Sequence, residues 1–154
     1  MPSNSIDYLH SLLALSIIGI ILTAAINSYC GLLKRSSEIK ELKNVLERIE
    51  SKVTYALLLL TENNATLTLK FQMPSRIGSQ YYWIRIANDS FSAWIEGGFG
   101  INSRTEGWEY RIYLPRKVYA SGTFESRYSI AQLNCSIKGD VPQIVLGRKD
   151  NAEA

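Results

Sequence analysis

The sequence predicts an α+β fold: a long N-terminal helix, transmembrane and then amphipathic, packed against a small antiparallel all-β sheet or sandwich. Three observations predict it. Tyr8 to Leu33 is a run of 26 residues without Asp, Glu, Lys or Arg. From Ile39 onward apolar residues recur at alternating spacings of three and four. Beyond residue 62 the period falls to two, with turn residues between short runs. These changes divide the chain into a tail at 1–7, a span at 8–33, an amphipathic continuation at 34–61, a β domain at 62–147 and a flexible tail at 148–154.

As a helix rising about 1.5 Å per residue, the charge-free run is about 39 Å long, more than the roughly 30 Å of a bilayer's hydrocarbon core. Leu12 to Ile26 is Leu, Ile and Ala, interrupted only by Ser16, Gly19 and Thr23. A buried core helix of this length normally carries a polar stripe, and this run has none. Tyr29 suits an interface, and Lys34, Arg35, Lys40 and Lys43 mark the aqueous boundary. Met1 to Asp7 lacks a basic n-region, and no small-residue cleavage site follows the run, so it is expected to persist as an anchor. Helices in lipid associate through small residues and polar contacts more than through Leu, because the tails are equally apolar. Ser16, Gly19, Thr23 and Asn27 follow one another at spacings of three, four and four. They form the candidate helix–helix contact in a membrane or filament.

The amphipathic continuation has Ile39, Leu42, Leu46, Ile49, Val53, Ala56 and Leu60 on one stripe, with Glu38, Glu41, Lys43, Glu47, Arg48, Glu50 and Lys52 on the other faces. No Pro interrupts Tyr8 to Leu60, so one helix of about 50 residues is expected. A coiled coil would need two apolar positions in seven. Ala56 to Leu60 is apolar on every side, which suits a helix covered by a sheet. Ile39, Leu42, Leu46, Ile49, Val53, Leu57 and Leu60 are therefore expected to pack on the chain's own strands.

Thr61 to Asn64 is a polar break. Leu67, Leu69 and Phe71 then alternate with polar residues as a half-buried strand. Pro74 to Gly78 turns the chain. Tyr81 to Ala87 and Phe91 to Ile95 read as strands around an Asn88-Asp89 turn. Gly97-Gly98-Phe99-Gly100, continuing to Gly107, reads as a loop. Trp108, Tyr110, Ile112 and Leu114 alternate with Glu109, Arg111 and Tyr113, which predicts a strand ended by Pro115. Ser121-Gly122 reads as a turn, Thr123 to Ile137 as a strand region, and Gln143 to Leu146 as a last short strand before a frayed end at Gly147.

Chemistry is sparse. The one histidine, His10, lies at the edge of the span, which excludes a His-based triad or metal site in the β domain. Cys30 and Cys135 lie too far apart in this organisation to pair. Glu96, Glu106, Glu109 and Glu125 are scattered over expected turns and solvent faces, and the Gly-rich stretch opens no helix that would cradle a phosphate. Tyr81, Tyr82, Trp83, Trp94, Trp108 and Tyr110 could suggest a carbohydrate or base-stacking platform, but strands favour aromatic residues anyway, so core packing is the expectation. A net charge of +3, with acids and bases interspersed, argues against nucleic acid. The expectation is a protein that is not an enzyme, with no catalytic, cofactor-binding or metal-ligating residues, no cofactor and no small-molecule substrate. Its partners would be a membrane and other proteins.

Asn64-Ala65-Thr66, Asn88-Asp89-Ser90 and Asn134-Cys135-Ser136 are N-glycosylation sequons beyond the long helix. They make Asn64, Asn88 and Asn134 candidate acceptors and favour a β domain outside the cytoplasm. The bases after the span argue the other way. Those bases alternate with Glu38 and Glu41 in a helix that is charged for its own reasons, so the sequons are given the greater weight.

A short tail, an apolar helix running into an amphipathic one, and a compact β domain against that helix resemble type IV pilins, most of all the archaeal pilin-like and archaellin-like proteins. The resemblance covers the chain as architecture. It implies a subunit whose apolar helix lies in the membrane before assembly and in a filament core afterwards, with other pilin-like subunits or assembly machinery as partners. Met1 to Ile6 lacks the family's basic residue plus Gly at the processing site, and the family's early glutamate is missing, with Asp7 the only acid nearby. These departures imply a minor or accessory subunit. The competing reading is a single-pass membrane protein whose β domain binds an envelope component or membrane complex without entering a filament.

Overall fold

The structure, a computed structural model, describes residues 3–63, 66–101, 107–139 and 141–148. One helix, α1, runs from Ser3 to Asn63. Gly31 lies inside it without ending it, at a cost of about 1 kcal/mol. The chain divides into two compact units, Met1–Ser37 and Glu38–Ala154, so α1 contributes to both.

In the first unit every described side chain from Ile6 to Ser37 is exposed. The hydroxyls of this segment turn back on the helix. Ser11 Oγ donates to Asp7 O at 2.9 Å, Ser16 Oγ to Leu12 O at 2.9 Å and Thr23 Oγ1 to Gly19 O at 2.8 Å. Such bonds satisfy the polar groups that hydrocarbon would leave without partners.

The second unit is α+β. Residues 38–63 of α1 lie against a single seven-stranded sheet: β1 (Leu67–Gln72), β2 (Tyr82–Asn88), β3 (Ala93–Phe99), β4 (Tyr110–Tyr113), β5 (Tyr119–Glu125), β6 (Ile130–Lys138) and β7 (Val141–Arg148). The order is β1-β6-β7-β5-β2-β3-β4. Every neighbouring pair is antiparallel except β5 and β7, which run parallel from Tyr119↔Gln143 to Gly122↔Leu146. Leu42, Leu46, Ile49, Val53, Ala56, Leu57 and Leu60 are buried among Ile84, Ile86, Ile95, Phe124, Leu133 and Ile144. Ile39 is only half-buried; on that flank Glu38 is covered instead, because the Gly78 turn closes over it.

Several strand limits differ from the sequence reading, each for a packing reason. Gly97 to Phe99 belong to β3: a side chain at Gly97 would press on Leu46, and one at Gly98 would come within 2.8 Å of the Trp83 ring. These glycines let a helix and an indole approach the strand. Ser121-Gly122 lies inside β5, and the break in the Thr123–Ile137 region is a 3-10 turn at Ser126–Tyr128, closed by Ser129 at φ 58. Gly147 and Arg148 remain in β7. Phe91 is 90% exposed in the β2–β3 turn, where the amides of Ser92 and Phe91 donate to Asp89 Oδ1 at 2.7 and 2.8 Å. Those bonds hold the Asp89 carboxyl below its usual range.

Candidate functional site

The candidate contact residues of the span lie along one groove of the first unit: Ser16, Gly19, Thr23 and Asn27, with Ile20 and Ala24 between them. Nothing approaches within 4 Å of where a Gly19 side chain would begin. α1 is long and apolar enough to cross a membrane, and no part of its most apolar window is buried by the chain itself.

The sequons fall in different settings. Asn64 lies outside the described residues. Asn88 is half-buried and structurally engaged: its Oδ1 accepts from the Ala120 amide at 3.0 Å, and its Nδ2 donates to Asp89 O at 3.2 Å. Asn134 is exposed in β6, and its Oδ1 accepts from Thr68 Oγ1 at 3.2 Å and Gln132 Nε2 at 3.0 Å.

The two cysteines are both free and differ sharply. Cys30 is exposed, whereas Cys135 is 0% exposed between β1 and β7, and burial pushes its thiol up to about 11. Since the thiolate is the nucleophile, a maleimide added to detergent-solubilised protein at pH 7.5 should modify Cys30 alone. Cys135 should react only when denaturant opens the sheet. Equal rates at both thiols in native protein would contradict this packing.

The side of the sheet away from α1 holds a cluster that the sequence reading missed. Along β2, Tyr82, Ile84 and Ile86 face the helix, which sends Trp83 and Arg85 to the other side. The register sets Arg85 and Arg111 on either side of Glu96, and Tyr113 beside Trp94. Arg85 Nε donates to Glu96 Oε1 at 2.6 Å. Arg111 Nε and Nη2 donate to Oε2 at 2.9 and 2.6 Å, and Trp94 Nε1 adds a third bond to that oxygen at 3.1 Å. Glu96 is 0% exposed, so it is neither on a turn nor on a solvent face.

Aromatic rings enclose this ion cluster. The Arg111 guanidinium lies 4.9 Å from the Trp94 ring centre and 4.5 Å from that of Trp108, and Trp94 meets Tyr113 edge-on at 6.3 Å. Trp83, 1% exposed, lies across Gly98 on the same side. Trp83, Trp94 and Trp108 thus leave the main core, contrary to expectation. Trp108 also leaves the face of Tyr110 and Ile112, because it precedes β4 and follows Gly107 at φ 85. Trp108 and Tyr113 remain 44% and 60% exposed.

Among the described residues no group of three or more His, Cys, Asp or Glu could hold a metal ion. No protein family matches this sequence, and no characterised protein or solved structure matches it either.

Proposed function

We propose that this protein is a single-pass, membrane-anchored structural subunit of pilin-like type, a minor or accessory component of an archaeal surface filament, with its β domain outside the cytoplasm. The observation that carries the reading is the unburied apolar surface of α1 from Ile6 to Leu33, while the second unit completes its own core. Such a surface is stable in lipid or against like helices, and a filament core supplies the second. The groove of Ser16, Gly19, Thr23 and Asn27 suits close helix approach, since the Ser16 and Thr23 hydroxyls already bond to their own backbone. The exposed Asn134 sequon supports the outside orientation.

Gly19→Leu separates anchoring from assembly. Leu is the better residue for lipid, so insertion should be unchanged. The bulkier side chain should keep a neighbouring helix away, and the subunit should disappear from filaments purified from the cell surface and viewed by electron cryo-microscopy. Filaments that carry the variant at the native level would remove this groove from assembly. A native chain found only in the membrane, never in filaments, would favour a single-pass protein that binds its partner through the β domain alone.

A further inference from the structure

We propose that the outer face of β2, β3 and β4 binds an acidic polysaccharide of uronic acid units, with Trp108 and Tyr113 as stacking surfaces and Arg111 as the carboxylate partner. The inference does not depend on filament assembly.

Aromatic rings on the solvent side of a sheet usually fold down onto neighbours, as Trp83 does at 1% exposure. Trp108 and Tyr113 instead leave about half of their surface in water, on either side of Arg111 in sequence and on its face of the sheet. A flat aromatic surface of this kind accepts another flat, partly apolar surface. The C–H face of a pyranose ring is one.

Charge narrows the class. Two guanidinium groups share the buried Glu96 carboxylate, and Glu109 continues the same edge next to β4. Arg116 and Lys117, both exposed, follow β4 after Leu114 and Pro115, so the described residues from Tyr82 to Lys117 set Arg85, Arg111, Arg116 and Lys117 against Asp89, Glu96 and Glu109, an excess of positive charge. A neutral sugar would leave that excess unanswered, and a purely apolar partner would have to desolvate it. Nucleic acid needs a basic tract to follow its phosphates, whereas the bases of this chain are interspersed with acids. A uronic acid combines a stacking face with one carboxylate per ring. Neighbouring strands lie about 4.8 Å apart, so β2 to β4 spans about 10 Å, the scale of two linked sugars.

Preorganisation completes the case. The buried Glu96 fixes the guanidinium groups of Arg85 and Arg111, and the Trp94 and Trp108 rings hold the plane of the second. Arg111 spends Nε and Nη2 on Glu96 and also meets the Tyr113 hydroxyl, so a ligand carboxylate would be received by Arg111 and Tyr113 together. Groups already ordered lose little entropy when a ligand arrives.

The test is isothermal titration of the full chain in detergent micelles with oligogalacturonate, a neutral glucose oligomer and polyglutamate. Oligogalacturonate should bind, and neither of the others should match it. Trp108→Ala and Tyr113→Ala should each weaken binding about tenfold, the scale of one lost stacking contact. Arg111→Lys should do likewise, because it keeps the charge and loses the fork. Thermal melting shows whether each variant is folded; Tyr113, the more exposed, is the safer substitution. Equal binding of polyglutamate would reduce the face to a general polyanion site and overturn the proposal. So would equal binding of the neutral oligomer, absence of oligogalacturonate binding, or native affinity in a folded Tyr113→Ala chain.

Discussion

Gly122→Ala should destabilise the β domain by about 3 kcal/mol or more, lowering its Tm by about 10 °C or more. Two effects add. Gly122 has φ 116, which an L side chain adopts only with strain. A Cβ there would also overlap the Leu146 carbonyl group directly across the β5–β7 seam. That obstacle is backbone, and it cannot swing aside as a side-chain tip would. Relief requires the strands to separate along the one parallel pairing in the sheet, which joins β7 and β6 to β5 and β2. Gly147→Ala is the control: it lies one residue beyond Leu146, has no positive φ, and meets nothing within 4 Å. Thermal melts followed by near-ultraviolet circular dichroism compare the two. Equal, small shifts would mean that the seam is loose enough to admit a methyl group.

The same seam shows where reading the sequence stops. The long apolar helix and the stripe from Leu42 to Leu60 were legible because each is a local pattern: neighbours in sequence are neighbours on the helix. Strand identity was legible for the same reason, from alternations such as Leu67, Leu69 and Phe71. Which strand lies beside which is a long-range fact. Nothing near Tyr119 or Gln143 announces their parallel pairing, so an antiparallel sheet was expected throughout. Gly122 looked like a turn because glycine tolerates positive φ wherever it occurs, and here the constraint came from Leu146. The Glu96 cluster was hidden for a related reason. Trp83 and Arg85, Trp94 and Glu96, and Arg111 and Tyr113 are same-face pairs on three strands, which alternation alone could have revealed. Their meeting depends on register, and a lone Glu is ordinarily solvated. Trp108 broke the alternation, since it precedes the strand it was assigned to.

Glu96→Ala tests that cluster as a structural unit. Removing one partner of a buried ion set costs about 3–5 kcal/mol, because the remaining charges stay desolvated. Arg85 and Arg111 keep side-chain exposures of 22% and 23%, so water relieves part of that cost and about 3 kcal/mol is expected. The loss should be non-additive. Once Glu96 is gone, replacing Arg85 or Arg111 by Met should recover stability, since each removes a charge with no counterpart. The triple variant Arg85→Met, Glu96→Leu, Arg111→Met should approach native stability, as apolar replacements of buried ion sets commonly do. That outcome would mean that folding does not require the ions, and it would leave ligand recognition as their reason to be present. Its stability should then be near native while its binding of oligogalacturonate is lost. Denaturant melts of the single, double and triple variants decide the matter, and an additive series with no recovery would show that the three side chains do not act as one network.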